Sequence, residues 1–136
     1  MIHIDLDRID FSDSWQDGDE TARWRSAPGH SPSLGAEDSG SSILQVEPGH
    51  RLPRHTDSAE EIVAVLSGIA LVTVGSETAR VRAGGLAVVP KCVPHEVGNA
   101  GDETLTFAAV YAEPDVITTY EREVLPDGSA ERQTVS

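Results

Sequence analysis

The stretch Gly49-His50-Arg51-Leu52-Pro53-Arg54-His55-Thr56-Asp57-Ser58-Ala59-Glu60-Glu61, continuing through Ile62-Val63-Ala64-Val65-Leu66-Ser67 to Gly68, decides the reading of this chain. His55 and Asp57 stand two residues apart, so on a β-strand both side chains face the same way. Glu61 follows a tight turn and opens an apolar strand that ends at Ser67-Gly68, a hairpin signal. A fourth residue, His95, comes later in Gly84-Gly85-Leu86-Ala87-Val88-Val89-Pro90-Lys91-Cys92-Val93-Pro94-His95-Glu96-Val97-Gly98-Asn99. Imidazoles and carboxylates on neighbouring strands of a small barrel can converge on one divalent ion at about 2.0 to 2.2 Å.

Working outward, apolar alternation of period two dominates from residue 43 onward. Strands are predicted at Ser42–Glu47, Glu61–Leu66, Ile69–Val74, Thr78–Arg82, Leu86–Pro90, His95–Val97 and Thr104–Tyr111, the fifth of them buried and ended by proline. Thr21–Arg25 reads as a further strand, and residues 1–11 as an N-terminal one because Ile2, Ile4 and Leu6 alternate with polar neighbours. Residues 26–42 are rich in Ser, Pro and Gly and read as a long loop inside one domain. The polar tail 126–136 is expected to fray. Many short strands joined by Gly and Pro turns make a sandwich or barrel.

The length, 136 residues, suits one domain with its own apolar core. One cysteine, Cys92, allows no internal disulfide, which suits a reducing cytoplasm. The acidic start is unlike a secretory signal, and no apolar run approaches the roughly 18 to 20 residues that span a membrane. The formal net charge is -13, with seven acids and one base, Arg8, between Asp5 and Glu20. Such a surface opposes the basic footprint of nucleic-acid binders and repels an anionic membrane. The partnerless alternation of Ile2–Leu6 predicts a homodimer built by sheet extension.

The two quoted stretches resemble both motifs of the cupin superfamily. In the first motif, Gly49, His55, Glu61 and Gly68 fall on the family pattern, and Asp57 stands where the family has a second His. In the second, Gly84, Pro90, His95 and Asn99 fall on it, and Cys92 replaces a Gly. The resemblance implies an all-β chain with the cupin-type double-stranded β-helix, or jelly-roll, barrel. Its core covers about residues 42–112, flanked by the N-terminal strand 1–11 and the tail 126–136. It also implies metal ligation by His55, Asp57, Glu61 and His95.

Each residue has a structural alternative. The histidines could be hydrogen-bonded core residues, and Glu61 a salt-bridged strand end. Asp57 either binds the ion directly or orients a His or a bound water from outside. His50 reads as a rim residue, Glu60 as solvated, Arg54 and Thr56 as outward-facing, and His3 and His30 as surface. Cys92 reads as a small buried residue where backbone packs closely. Phe107, Ala109 and Tyr111 share one strand face and line either the cavity or the core; Trp24 is a candidate lid.

Two histidines and a carboxylate with open positions suit Fe(II) and O2 chemistry, with Mn(II), Zn(II) or Ni(II) as other occupants. A second carboxylate from Asp57 favours hard ions, Fe(II) or Mn(II). The first expectation is therefore an oxidative, dioxygenase-like enzyme on a small organic substrate. The alternatives are a non-redox isomerase, lyase or cyclase in which Asp57 or Glu61 acts as catalytic base, and a cupin that binds a small ligand without turnover.

Overall fold

The structure, a computed structural model, describes residues 1–136. Twelve strands follow in chain order: β1 (Ser12–Gln16), β2 (Asp19–Pro28), β3 (Gly40–Val46), β4 (Arg51–Asp57), β5 (Glu61–Ser67), β6 (Ile69–Val74), β7 (Glu77–Arg82), β8 (Leu86–Val89), β9 (His95–Asn99), β10 (Leu105–Tyr111), β11 (Val116–Val124) and β12 (Ser129–Val135). They form two layers. One runs β1-β2-β3-β10-β5-β8 and the other β12-β11-β4-β9-β6-β7. Strand β2 joins them, antiparallel to β3 and parallel to β4 where Ala22 stands opposite Arg51. This is the jelly-roll barrel of the cupins. No helix is long and apolar enough to cross a membrane.

The alternation of the sequence explains the core. On β10, Leu105, Phe107, Ala109 and Tyr111 are buried while Thr106, Ala108 and Val110 are half-exposed. On β5, Val63 and Val65 point inward with Glu61, so a carboxylate begins an apolar row. These side chains meet Leu52, Val72 and Val97 of the opposite layer in one cluster. Complete burial of a side chain such as Phe107 contributes roughly 1.5–3 kcal/mol relative to exposure.

Turn chemistry sets the registers. Gly68 joins β5 to β6 with φ 82°, and a Cβ there would meet the Thr104 carbonyl oxygen at 2.9 Å. Both the backbone conformation and the close approach require glycine. Asn99 donates its side-chain amide to the Val46 and Glu103 carbonyls and accepts from the Gly101 N–H, tying the β9–β10 turn to β3.

Several expectations are corrected. Residues 1–11 form no strand; one 3-10 turn covers Leu6–Arg8. The 26–42 loop shortens at both ends, because Ser26–Pro28 continue β2 and Gly40–Ser42 begin β3. The tail does not fray: β12 pairs with β11 along its length, an alternation hidden by its polar outer face. Strand β8 is buried on one face only: Val89 belongs to the core and Ala87 packs against it, while Leu86 and Val88 are exposed on this outer edge strand. Cys92 is exposed as well. Its φ of 63° is the physical reason a glycine suits that position, not close backbone packing.

Candidate metal centre

Three strands bring the four residues together. Period-two alternation on β4 turns His55 and Asp57 inward with Pro53. His95, first residue of β9, stands opposite His55 in the β4–β9 pairing. Glu61 comes from β5 in the facing layer. All four side chains are buried, and one ligand atom from each lies within 4.8 Å of every other. His50 is not in this cluster; it lines a surface groove with Trp15 and Arg25. Glu60 is exposed, while His30 is half-buried between Ser39 and Ser41.

Backbone carbonyls orient both rings. His55 Nδ1 lies 2.7 Å from the Pro53 oxygen and His95 Nδ1 lies 2.8 Å from the Val93 oxygen. A carbonyl only accepts, so each Nδ1 carries a hydrogen, and in the neutral ring each Nε2 directs a lone pair inward. His95 Nε2 lies 2.9 Å from Glu61 Oε1 and 3.1 Å from Asp57 Oδ2, and His55 Nε2 lies 3.6 Å from the same Asp57 oxygen. Asp57 Oδ1 accepts from the Thr118 hydroxyl at 2.6 Å, whereas Oδ2 is buried with no hydrogen-bond partner. Lone pairs of two imidazoles and two carboxylates thus face one point. A divalent cation suits this donor set, and an orphaned buried carboxylate oxygen calls for one.

Without a cation, protons do part of that work. Burial, with the charge of His95, lowers the His55 pKa to about 4, so its ring is neutral. Burial also disfavours charge on His95, but its close contacts with Asp57 and Glu61 and their charges prevail and push its pKa up to about 10. Burial raises Glu61 to about 7. Asp57 is buried too, yet its close contact with His95 and the charge of His55 hold its pKa below the ordinary value.

A cavity of about 240 Å³ reaches the cluster through His55 and Glu61. Trp24 lines it and stacks on Tyr120, ring centroids 5.4 Å apart. Tyr111 lines it as well, while Phe107 and Ala109 of the same strand face belong to the core. Thr118, Tyr120, Arg132 and Thr134 also reach it, all from β11 and β12. Sequence reasoning missed these four residues. The alternation Val116-Thr118-Tyr120, rich in β-branched and aromatic residues, was the available signal.

The sequence model of the cupin domain family matches residues 42–111. The chain belongs to that family. Among solved structures it is similar to oxalate decarboxylase of Bacillus subtilis. In a study of that enzyme's Mn(II) centres the identity is 26%, the TM-score 0.63, and the coverage 67% of this chain and 26% of that one. The same values hold for a study of its substrate-binding mode and for its structure at pH 4.6. The chain therefore spans about a quarter of the length of the structures it matches. No curated protein matches it.

Proposed function

We propose that this cupin is a metal-dependent enzyme that transforms a small organic molecule by non-redox, lyase- or isomerase-type chemistry. The observation that carries the metal is Asp57 Oδ2, buried, unpartnered and facing two imidazole Nε2 atoms. His55, Asp57, Glu61 and His95 hold the ion, with Mn(II) or Fe(II) favoured by the two hard carboxylates. A divalent ion there would supply Lewis acidity to a substrate oxygen. The oxidative chemistry expected first has less support than the non-redox alternative, because the similar structures are of a decarboxylase with Mn(II) centres.

The protein's own groups set the rest. Glu61 borders the cavity, so the carboxylate oxygen that does not hold the ion is placed to accept a proton from a bound substrate. Asp57 does not border the cavity; its part is to hold charge and orientation. Trp24, Leu44 and Leu52 on the cavity wall exclude water from the reacting centre.

The test has two stages. Elemental analysis of protein purified without chelator or added metal should find about one Mn or Fe per chain. Turnover across a panel of small hydroxy- and keto-acids should then persist under anaerobic conditions. Absence of metal, or O2 uptake in proportion to product, overturns the reading.

A homodimer and a cytoplasmic setting belong to the same proposal, though not by sheet extension through Ile2–Leu6, which form no strand. Ile62, Leu66, Leu86 and Val88 are exposed on paired strands β5 and β8, with Ile62 opposite Val88. This outward patch is uncharged on a chain of net charge -13, so two copies can meet there without apposing acids. Light scattering at micromolar concentration should give the dimer mass, and Leu86→Glu the monomer mass. A monomeric wild type overturns it. The lone thiol, Cys92, supports a reducing compartment.

A further inference from the structure

Two buried phenols have no assigned part in holding the metal. Tyr111 is 4% exposed and Tyr120 is 8% exposed, and both line the cavity. Both hydroxyls stay open to that cavity and are not sealed in the core. Each ring is placed against the metal cluster by strand register. Tyr111 of β10 stands opposite Glu61 of β5, and Tyr120 of β11 stands opposite His55 of β4 with ring centroids 5.2 Å apart. A phenol keeps its proton at physiological pH, so both are hydrogen-bond donors. Donors open to the cavity can meet an acceptor brought by the ligand.

The charge of the cavity restricts that ligand. Asp57 and Glu61 together neutralise a divalent ion, whereas the family pattern, with a second His at residue 57, leaves one positive charge. The cavity's guanidinium, Arg132, is already engaged: Nη2 and Nε donate to Asp127 at 2.7 and 3.2 Å, and Nη1 donates to the Ser14 hydroxyl at 3.0 Å. No unbalanced positive charge is left to hold a dianion. Hydrogen-bond donors are available, and the volume of about 240 Å³ admits a small molecule only.

We propose that Tyr111 and Tyr120 form the oxygen-binding wall of the ligand site, and that the ligand is a small hydroxylated or carbonyl compound bearing at most one negative charge. This rests on the metal-dependent reading above. It separates this chain from a dianion-binding site built on the same fold.

The experiment uses the full chain and begins with Mn(II) titration of the wild type, Tyr111→Phe, Tyr120→Phe and Asp57→His. Absence of Mn(II) binding to the wild type overturns the metal reading, before any ligand is added. With Mn(II) bound, glycolate and oxalate are titrated calorimetrically as a monoanion and a dianion. Each Tyr→Phe variant should keep its Mn(II) affinity and bind glycolate at least fivefold more weakly. Unchanged glycolate affinity in both variants overturns the tyrosine wall while leaving the metal reading standing. The ratio of oxalate to glycolate affinity should be at least tenfold higher in Asp57→His than in the wild type, a comparison in which the intrinsic chelating strength of oxalate cancels. An equal ratio overturns the charge rule.

Discussion

The Thr118 hydroxyl donates to Asp57 Oδ1 at 2.6 Å, across the β11–β4 pairing in which the two residues stand opposite each other. That bond fixes the carboxylate so that Oδ2 turns toward the imidazoles. A strand outside the residues matched to the cupin family thus orients the residue that departs from the family pattern.

Removing this donor leaves a buried carboxylate oxygen unpaired, at a cost of about 1–3 kcal/mol. Thr118→Val should therefore weaken Mn(II) binding roughly tenfold or more, and Thr118→Ser should restore it. Asp57→Asn, which removes the charge itself, should cost more than Thr118→Val. Equal Mn(II) affinity in Thr118→Val and wild type, read by calorimetric titration, would show that Asp57 needs no such support.

His55→Ala and His95→Ala each delete an inward imidazole but leave the apolar core untouched. Both variants should stay folded by circular dichroism and lose stoichiometric metal. Wild-type metal content in both would falsify the four-residue assignment.

Metal affinity should rise with pH. A ligating ring must be neutral at its bound nitrogen, so the proton that the metal-free protein keeps on His95, with its pKa near 10, has to leave. Glu61, raised to about 7, adds a second proton below that pH. Affinity should climb about tenfold per pH unit between 7 and 10 and more steeply below 7, where Glu61 also has to give up its proton; His55 and Asp57 demand no release in this range. Titrations in buffers of different ionisation enthalpy should count about one proton released at pH 8. A pH-independent affinity from 6 to 9 would contradict this.

Cys92 is the non-glycine residue with positive φ, at 63°. A left-handed conformation costs an L-residue roughly 1–2 kcal/mol, and glycine returns about 0.5–1 of that through its freer unfolded chain. Cys92→Gly should raise the melting temperature by roughly 2–4 °C. The side chain is exposed, so little packing is lost. A lower melting temperature would mean that the thiol makes a contribution of its own.

Much of the molecule follows from local sequence. Period-two alternation already turns His55 and Asp57 to one side of β4 and sets Glu61 at the head of an apolar row, because side-chain direction on a strand is a backbone property. The spacing of Gly49, Gly68, Gly84 and Asn99 likewise marks turns, through glycine φ values and the Gly101–Asn99 hydrogen bond that are local. Other features depend on pairings between residues far apart in sequence. Thr118 meets Asp57 across 61 residues, Glu61 meets His95 across 34, and Arg132 reaches Ser14 across 118. The same holds for β12, whose outer face reads as a solvated tail until β11 offers it hydrogen bonds. Segment 1–11 carries the stronger local alternation, yet only 129–135 is a strand, because only it has a partner strand within the fold. The charge of the site was legible in the residue at position 57; the direction of its free oxygen was decided by a strand that begins nearly 60 residues later.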